Sequence, residues 1–74
     1  MKSAVEIEFI KLLIGNGSEV VLVASTCNDE NLLDLAAHAY KYKTKLTLTA
    51  VSYQRRAIYE ELSALYGSHL KLVF

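Results

Sequence analysis

The chain has no proline, no tryptophan, one cysteine and three glycines among 74 residues, and its formal net charge is zero. Each shortage excludes something. Without proline, and with glycine this scarce, long irregular loops have few places to form. A lone Cys27 cannot close an intramolecular disulfide, so the stapled frameworks of small secreted domains are ruled out. Cys27, His38 and His69 lack metal-ligand spacing and are too few for a closed tetrahedral site, so no metal and no other cofactor is expected. No glycine-rich phosphate loop or Gly-x-Ser-x-Gly elbow occurs, which leaves no recognisable catalytic constellation. No apolar run approaches the roughly 18 residues of a membrane span, and the acids of "MKSAVEIEF" interrupt the apolar stretch a signal peptide needs. A cytoplasmic protein without a membrane partner is the expectation.

What is present is a chain 53% hydrophobic, too apolar for disorder and short enough for one domain, residues 1–74. A chain of this size buries only about 60% of the surface its unfolded form exposes, so its core is marginal. With disulfides and metals excluded, oligomerisation is the remaining supplement, and a homo-oligomer is expected.

"EVVLVAS" (19–25) and "KLTLTAV" (45–51) are rich in β-branched residues and of strand length, and "HLKLVF" (69–74) alternates Leu70, Leu72 and Phe74 with His69, Lys71 and Val73. "NDENLLDLAAHAYKYK" sets Leu32, Leu35, Ala36, Ala39 and Tyr40 at helical spacing, with Asn28 as cap, Asp29 and Glu30 in the first turn and Lys41 and Lys43 in the last. "SYQRRAIYEELSALYG" gathers Ile58, Leu62, Leu65 and Tyr66 on one face, with Ser52 as cap and Gly67 as terminator. The first segment reads as helix from the box Ser3-Ala4-Val5-Glu6, followed by Gly15-Asn16-Gly17 as cap and loop. The alternation of Val5, Ile7 and Phe9 also fits a strand ending in a hairpin turn.

The expected architecture is α+β, a two-layer open-faced sandwich with helices on one face of a small mixed or antiparallel sheet. Its inner side would carry Leu46, Leu48, Ala50, Leu70, Leu72 and Phe74, and its outer side Lys45, Thr47, Thr49, Lys71, Val21 and Val23. Strand 19–25, apolar on both sides, belongs in the middle. An internal repeat supports the parse: at an offset of 26, Leu22, Ala24, Leu32, Asp34 and Tyr40 fall on Leu48, Ala50, Ile58, Glu60 and Tyr66. At the same offset, the acidic pair Asp29-Glu30 becomes the basic pair Arg55-Arg56.

That basic start is backwards for the helix dipole, which favours acids at the N-terminus. On one reading both arginines are solvated and compensated by Glu60 and Glu61. On the other, adjacent guanidinium groups at a helix start hold an anion or a partner, with Ser52, Tyr53 and Gln54 adding donors.

The segment "KLTLTAVSYQRRAIYEELSALYGSHLKLVF" resembles the first half of the HPr-type phosphocarrier proteins of the bacterial sugar phosphotransferase system, where a strand leads through Gly-[Leu/Ile]-His-x-Arg-Pro-Ala into a helix. "GSEVVLVASTCNDENLLDLAAHA" is similar to that family's last strand and helix, and "KSAVEIEFIKLLI" to its Lys-Ser-[Ile/Val] helix, so the halves stand in permuted order. Arg55 and Ala57 match the motif's arginine and alanine, Arg56 replaces its proline, and Tyr53 stands where the phosphorylated histidine belongs. The resemblance implies a sheet whose middle strand runs antiparallel to both neighbours. It implies a non-enzymatic, phosphocarrier-like binding or regulatory module, without the usual histidine, that meets a protein partner through Ser52, Tyr53, Gln54, Arg55 and Arg56. Ser3 matches a serine that some members use for regulatory phosphorylation, and it also reads as a plain helix cap.

A small nucleic-acid-binding protein is the alternative. From Leu35 to Tyr59 the chain has five basic residues and no acid, interleaved with Tyr40, Tyr42, Tyr53 and Tyr59. A strand of about seven residues, roughly 23 Å long, separates Lys41, Lys43 and Lys45 from Arg55 and Arg56, which divides this Lys/Tyr-rich surface in two.

Overall fold

In the computed structural model, which describes residues 1–74, helices and strands alternate as α1 (Ala4–Gly15), β1 (Val20–Val23), α2 (Asp29–Tyr42), β2 (Leu46–Thr49), α3 (Arg56–Tyr66) and β3 (Leu70–Leu72). Single 3₁₀ turns cover Ala24–Thr26, Tyr53–Arg55 and Gly67–His69. The helix reading of the first segment holds, and its cause is the predicted box. The Glu6 N–H donates to Ser3 Oγ at 3.2 Å, and the Ser3 N–H donates to Glu6 Oε1 at 2.9 Å. The helix ends at Asn16, and Gly17 takes the left-handed φ of 93° that turns the chain into β1. Asn28 caps α2 through the Asn31 N–H at 2.8 Å.

The other helix ends differ from expectation. Lys43, not yet past the turn, is the C-terminal cap of α2 with a left-handed φ of 56°. Gly67 keeps a right-handed φ of −55° and continues α3 into a 3₁₀ turn, so its freedom to reverse the chain is not used. Ser52 makes no side-chain cap bond. The chain after it forms a 3₁₀ turn, and α3 begins only at Arg56.

The sheet corrects the mixed or antiparallel expectation: its order is β1-β2-β3 and both pairings are parallel. Connections long enough to contain a helix carry the chain back to the starting edge, so each strand enters from the same side. β2 rather than β1 is therefore central, because the strands are laid down in sequence. Leu22 and Leu48, equivalent in the internal repeat, are register partners, so the two strand-helix units differ by one lateral step across the sheet.

All three helices lie on one face. Ile7, Ile10 and Ile14 of α1, Leu32, Leu35, Ala36 and Ala39 of α2, and Ile58, Tyr59 and Leu62 of α3 close over Leu22, Leu46 and Leu48 in one cluster that includes Cys27. The other face is open, with Val21 65% and Val23 46% exposed beside Thr47, Thr49 and Lys71, as the outer-side assignment has it. Two inner-side assignments fail: Ala50 is exposed, and Phe74 is 86% exposed because it extends beyond the end of β3. On α1, Val5, Phe9 and Leu12 form an exposed stripe, so that helix is apolar on more than its buried side. No helix is long and apolar enough to cross a membrane.

Candidate functional site

Because every strand points the same way, the segments that follow β1, β2 and β3 gather at one edge of the sheet, the edge where α/β folds place their ligands. The sequential strand order contains no reversal that would open a crevice between neighbouring loops, so the opening has to come from elsewhere.

It comes from the end of β2. Ala50 adopts a left-handed φ of 53° and is left out of the ladder: the Val73 N–H donates to the Leu48 carbonyl at 2.9 Å, and the Val73 carbonyl accepts from the Val51 N–H at 3.0 Å. The kink turns Val51 into the core and brings Ser52 and Tyr53 out over the end of the sheet.

There the two arginines part. Arg55 reaches back to the first unit, where Nη1 donates to the Ala24 carbonyl at 3.0 Å and Nη2 to the Cys27 carbonyl at 3.2 Å and to Asp29 Oδ1 at 2.6 Å. Its guanidinium joins the end of β1 to the start of α2, and Glu60 and Glu61 take no part. Arg56 turns the other way. It donates from Nη1 to the Tyr53 carbonyl at 3.4 Å, stacks its guanidinium 4.7 Å from the Tyr53 ring centre, and has no carboxylate partner.

On the Arg56 side lies a groove of about 460 Å³, bounded by Ser52, Tyr53, Arg56, Tyr59, Leu72 and Phe74. Its size is that of a ligand cleft, about 300–1,000 Å³. Tyr59, Leu72 and Phe74 make it apolar, Arg56 and Ser52 supply donors, and Glu60 and Ser63 of α3 complete the rim. Of the five residues read from the sequence, the structure brings Ser52, Tyr53 and Arg56 to this groove. Arg55 belongs to the junction between the units, and Gln54 is exposed outside it. From the sequence Leu72 and Phe74 read as sheet residues only and Tyr59 only as a stacking surface for bases, because nothing local marks a side chain at the rim of a layer.

A second depression of about 510 Å³ lies between α1 and α2, with Glu8, Lys11, Asn16, His38 and Tyr42 around it. Its cation is already paired: Lys11 Nζ is 3.1 Å from Asp34 and 3.6 Å from Glu8. Ser3 is the hydroxyl of the α1 cap. No three His, Cys, Asp or Glu side chains come together as metal ligands. No protein-family model, no curated protein and no solved structure matches the chain.

Proposed function

We propose that the protein is a non-enzymatic binding module whose groove beside α3 takes an apolar group bearing an anion, either a carboxylate or a phosphate. The observation that carries this reading is Arg56, a guanidinium without a carboxylate partner at the mouth of a groove whose other walls are mostly apolar, with Glu60, Ser52 and Ser63 on its rim. From the phosphocarrier resemblance the reading keeps the partner surface at Ser52, Tyr53 and Arg56. It drops phosphotransfer, because the parallel sheet is not the antiparallel arrangement the family implies and no histidine lines the groove.

The test is titration of ¹⁵N-labelled protein with phenyl phosphate and with N-acetylphenylalaninate. Shifts confined to Tyr53, Arg56, Tyr59, Leu72 and Phe74, lost in Arg56→Glu, support the reading. Spectra unmoved by both compounds at millimolar concentration refute it.

A second reading rests on Lys41, Lys43, Lys45 and Lys71, which have no carboxylate partner and stand at or near the opposite end of the sheet, where Tyr40, Tyr66 and His69 pack ring against ring. It makes the protein a nucleic-acid binder. Affinity for a generic oligonucleotide that falls steeply with salt would support it.

A further inference from the structure

Resting on the groove reading above, we infer that the natural occupant is an extended peptide of a partner protein, added to the sheet as a fourth strand along β3, with an acidic side chain set against Arg56. Two features meet at this border of the molecule. β3 is an edge strand, so one side of its backbone has no strand to bond. In a parallel pair a residue turns its N–H and C=O to the same neighbour and the next residue turns both away. Val73 bonds inward to Leu48 and Val51, so Leu72 and Phe74 turn their backbone groups outward.

Leu72 of β3 and Phe74 just beyond it also line the groove, and α3 forms its opposite wall through Tyr59, Glu60, Ser63 and Ala64. Free backbone groups and a side-chain cleft thus lie along the same line, with a helix as the far rail. Strand addition uses this combination: main-chain bonds to an edge give affinity, and clefts for alternate side chains give selectivity. Ser63 and Ala64 are small, which leaves room for the incoming side chains between helix and strand.

The edge from Leu70 to Phe74 is about 17 Å long, enough for a segment of about five residues. Arg56 sets the charge of that segment. The same edge of a second copy does not fit, because "HLKLVF" carries no acidic side chain for Arg56 and would bring one Lys71 close to the other.

The experiment uses six hexapeptides of alternating valine and threonine, blocked at both ends, each with a single aspartate at a different position. Amide hydrogen exchange and ¹⁵N spectra of the full chain are the readouts. The expected result is that at least one peptide slows exchange at Leu72 and Phe74 tenfold or more. Its affinity falls about tenfold when aspartate becomes asparagine or Arg56 becomes Glu, and it is lost when the alternate peptide amides that face β3 are N-methylated. Phenyl phosphate shifting the groove while no hexapeptide protects Leu72, or the N-methylated peptide binding as well as its parent, overturns strand addition and leaves the groove reading standing. If phenyl phosphate, N-acetylphenylalaninate and all six peptides leave the groove unmoved, both readings fall together. Protection of Leu72 that rises with protein concentration alone, with a dimer in sedimentation, overturns the partner peptide in favour of a second copy.

Discussion

Arg55 and Asp29 are equivalent positions in the two strand-helix units, 26 residues apart, and they form an ion pair with each other at 2.6 Å. The same lateral step puts Tyr66 beside Tyr40, with ring centres 5.6 Å apart, and Leu48 beside Leu22 in the sheet. The two copies of the repeat therefore touch their own counterparts. A charge of one sign at both positions would set like charges against each other, and the exchange of acid for base relieves that contact. Arg55 accordingly offends the dipole of α3 while serving the junction between units.

Replacing Arg55 should show this as stability. Arg55→Ala removes charged donors from two backbone carbonyls and from a half-exposed ion pair, and is expected to cost about 1–3 kcal/mol. Asp29→Ala leaves the carbonyl bonds in place and should cost about 1 kcal/mol or less. Urea unfolding of both single variants and the double variant gives the coupling energy. A loss at Arg55 no larger than at Asp29 would show that the carbonyl bonds contribute nothing.

Arg56 should behave in the opposite way. It is exposed, has no acidic partner and stands in the first turn of α3, so Arg56→Glu improves the dipole interaction at the cost of repulsion with Glu60. Stability within about 0.5 kcal/mol of the parent is expected, with loss of the groove's anion response. Unfolding curves measured beside the phenyl phosphate titration check both halves.

Thr44 offers a change in the stabilising direction. Its hydroxyl is buried just before β2 and has no hydrogen-bond partner, while its N–H is held by the Ala39 carbonyl at 3.0 Å. Thr44→Val keeps the branched shape and the backbone bond and removes the unpaired group, so a gain of about 1 kcal/mol is expected. Thermal unfolding is the measurement, and a loss of stability would mean the hydroxyl is satisfied in solution.

The ends of the pH range should act on α1. Hydrogen bonds from the Ser3 backbone and hydroxyl hold the Glu6 carboxyl below its ordinary value of 4.5. A group lowered in the fold stabilises it above its unfolded pKa and loses that contribution as pH falls through the folded one. Lys11 is raised above its ordinary 10.5, chiefly by its hydrogen bond to Asp34, so its contribution is complete below 10.5 and is lost as pH rises further. Glu6→Gln should flatten the acid limb of a stability curve, and Lys11→Met the alkaline limb. Unchanged limbs would show that neither bond persists in water.

Local chemistry in the sequence determined the elements. Ser3 and Glu6 close a capping box using only residues within one turn, Asn28 caps α2 the same way, and the alternation of Leu46 and Leu48 with Thr47 and Thr49 sorts the faces of β2 by solubility alone. The 26-residue offset even held the register of β1 on β2. Strand direction was legible in part, since a helix between two strands that pair with each other is a parallel crossover. The family resemblance pointed the other way, and the connection lengths were the better guide.

Only the tertiary structure decided what each arginine does. Arg55 and Arg56 are neighbours in sequence, but one is the last residue of a 3₁₀ turn and the other the first of α3, so their side chains leave the backbone in different directions. One meets carbonyls 28 and 31 residues earlier and the other a groove whose walls include Tyr59, Leu72 and Phe74. Those meetings depend on which strand lies beside which and on the skipped residue Ala50, long-range geometry that no spacing along the chain encodes.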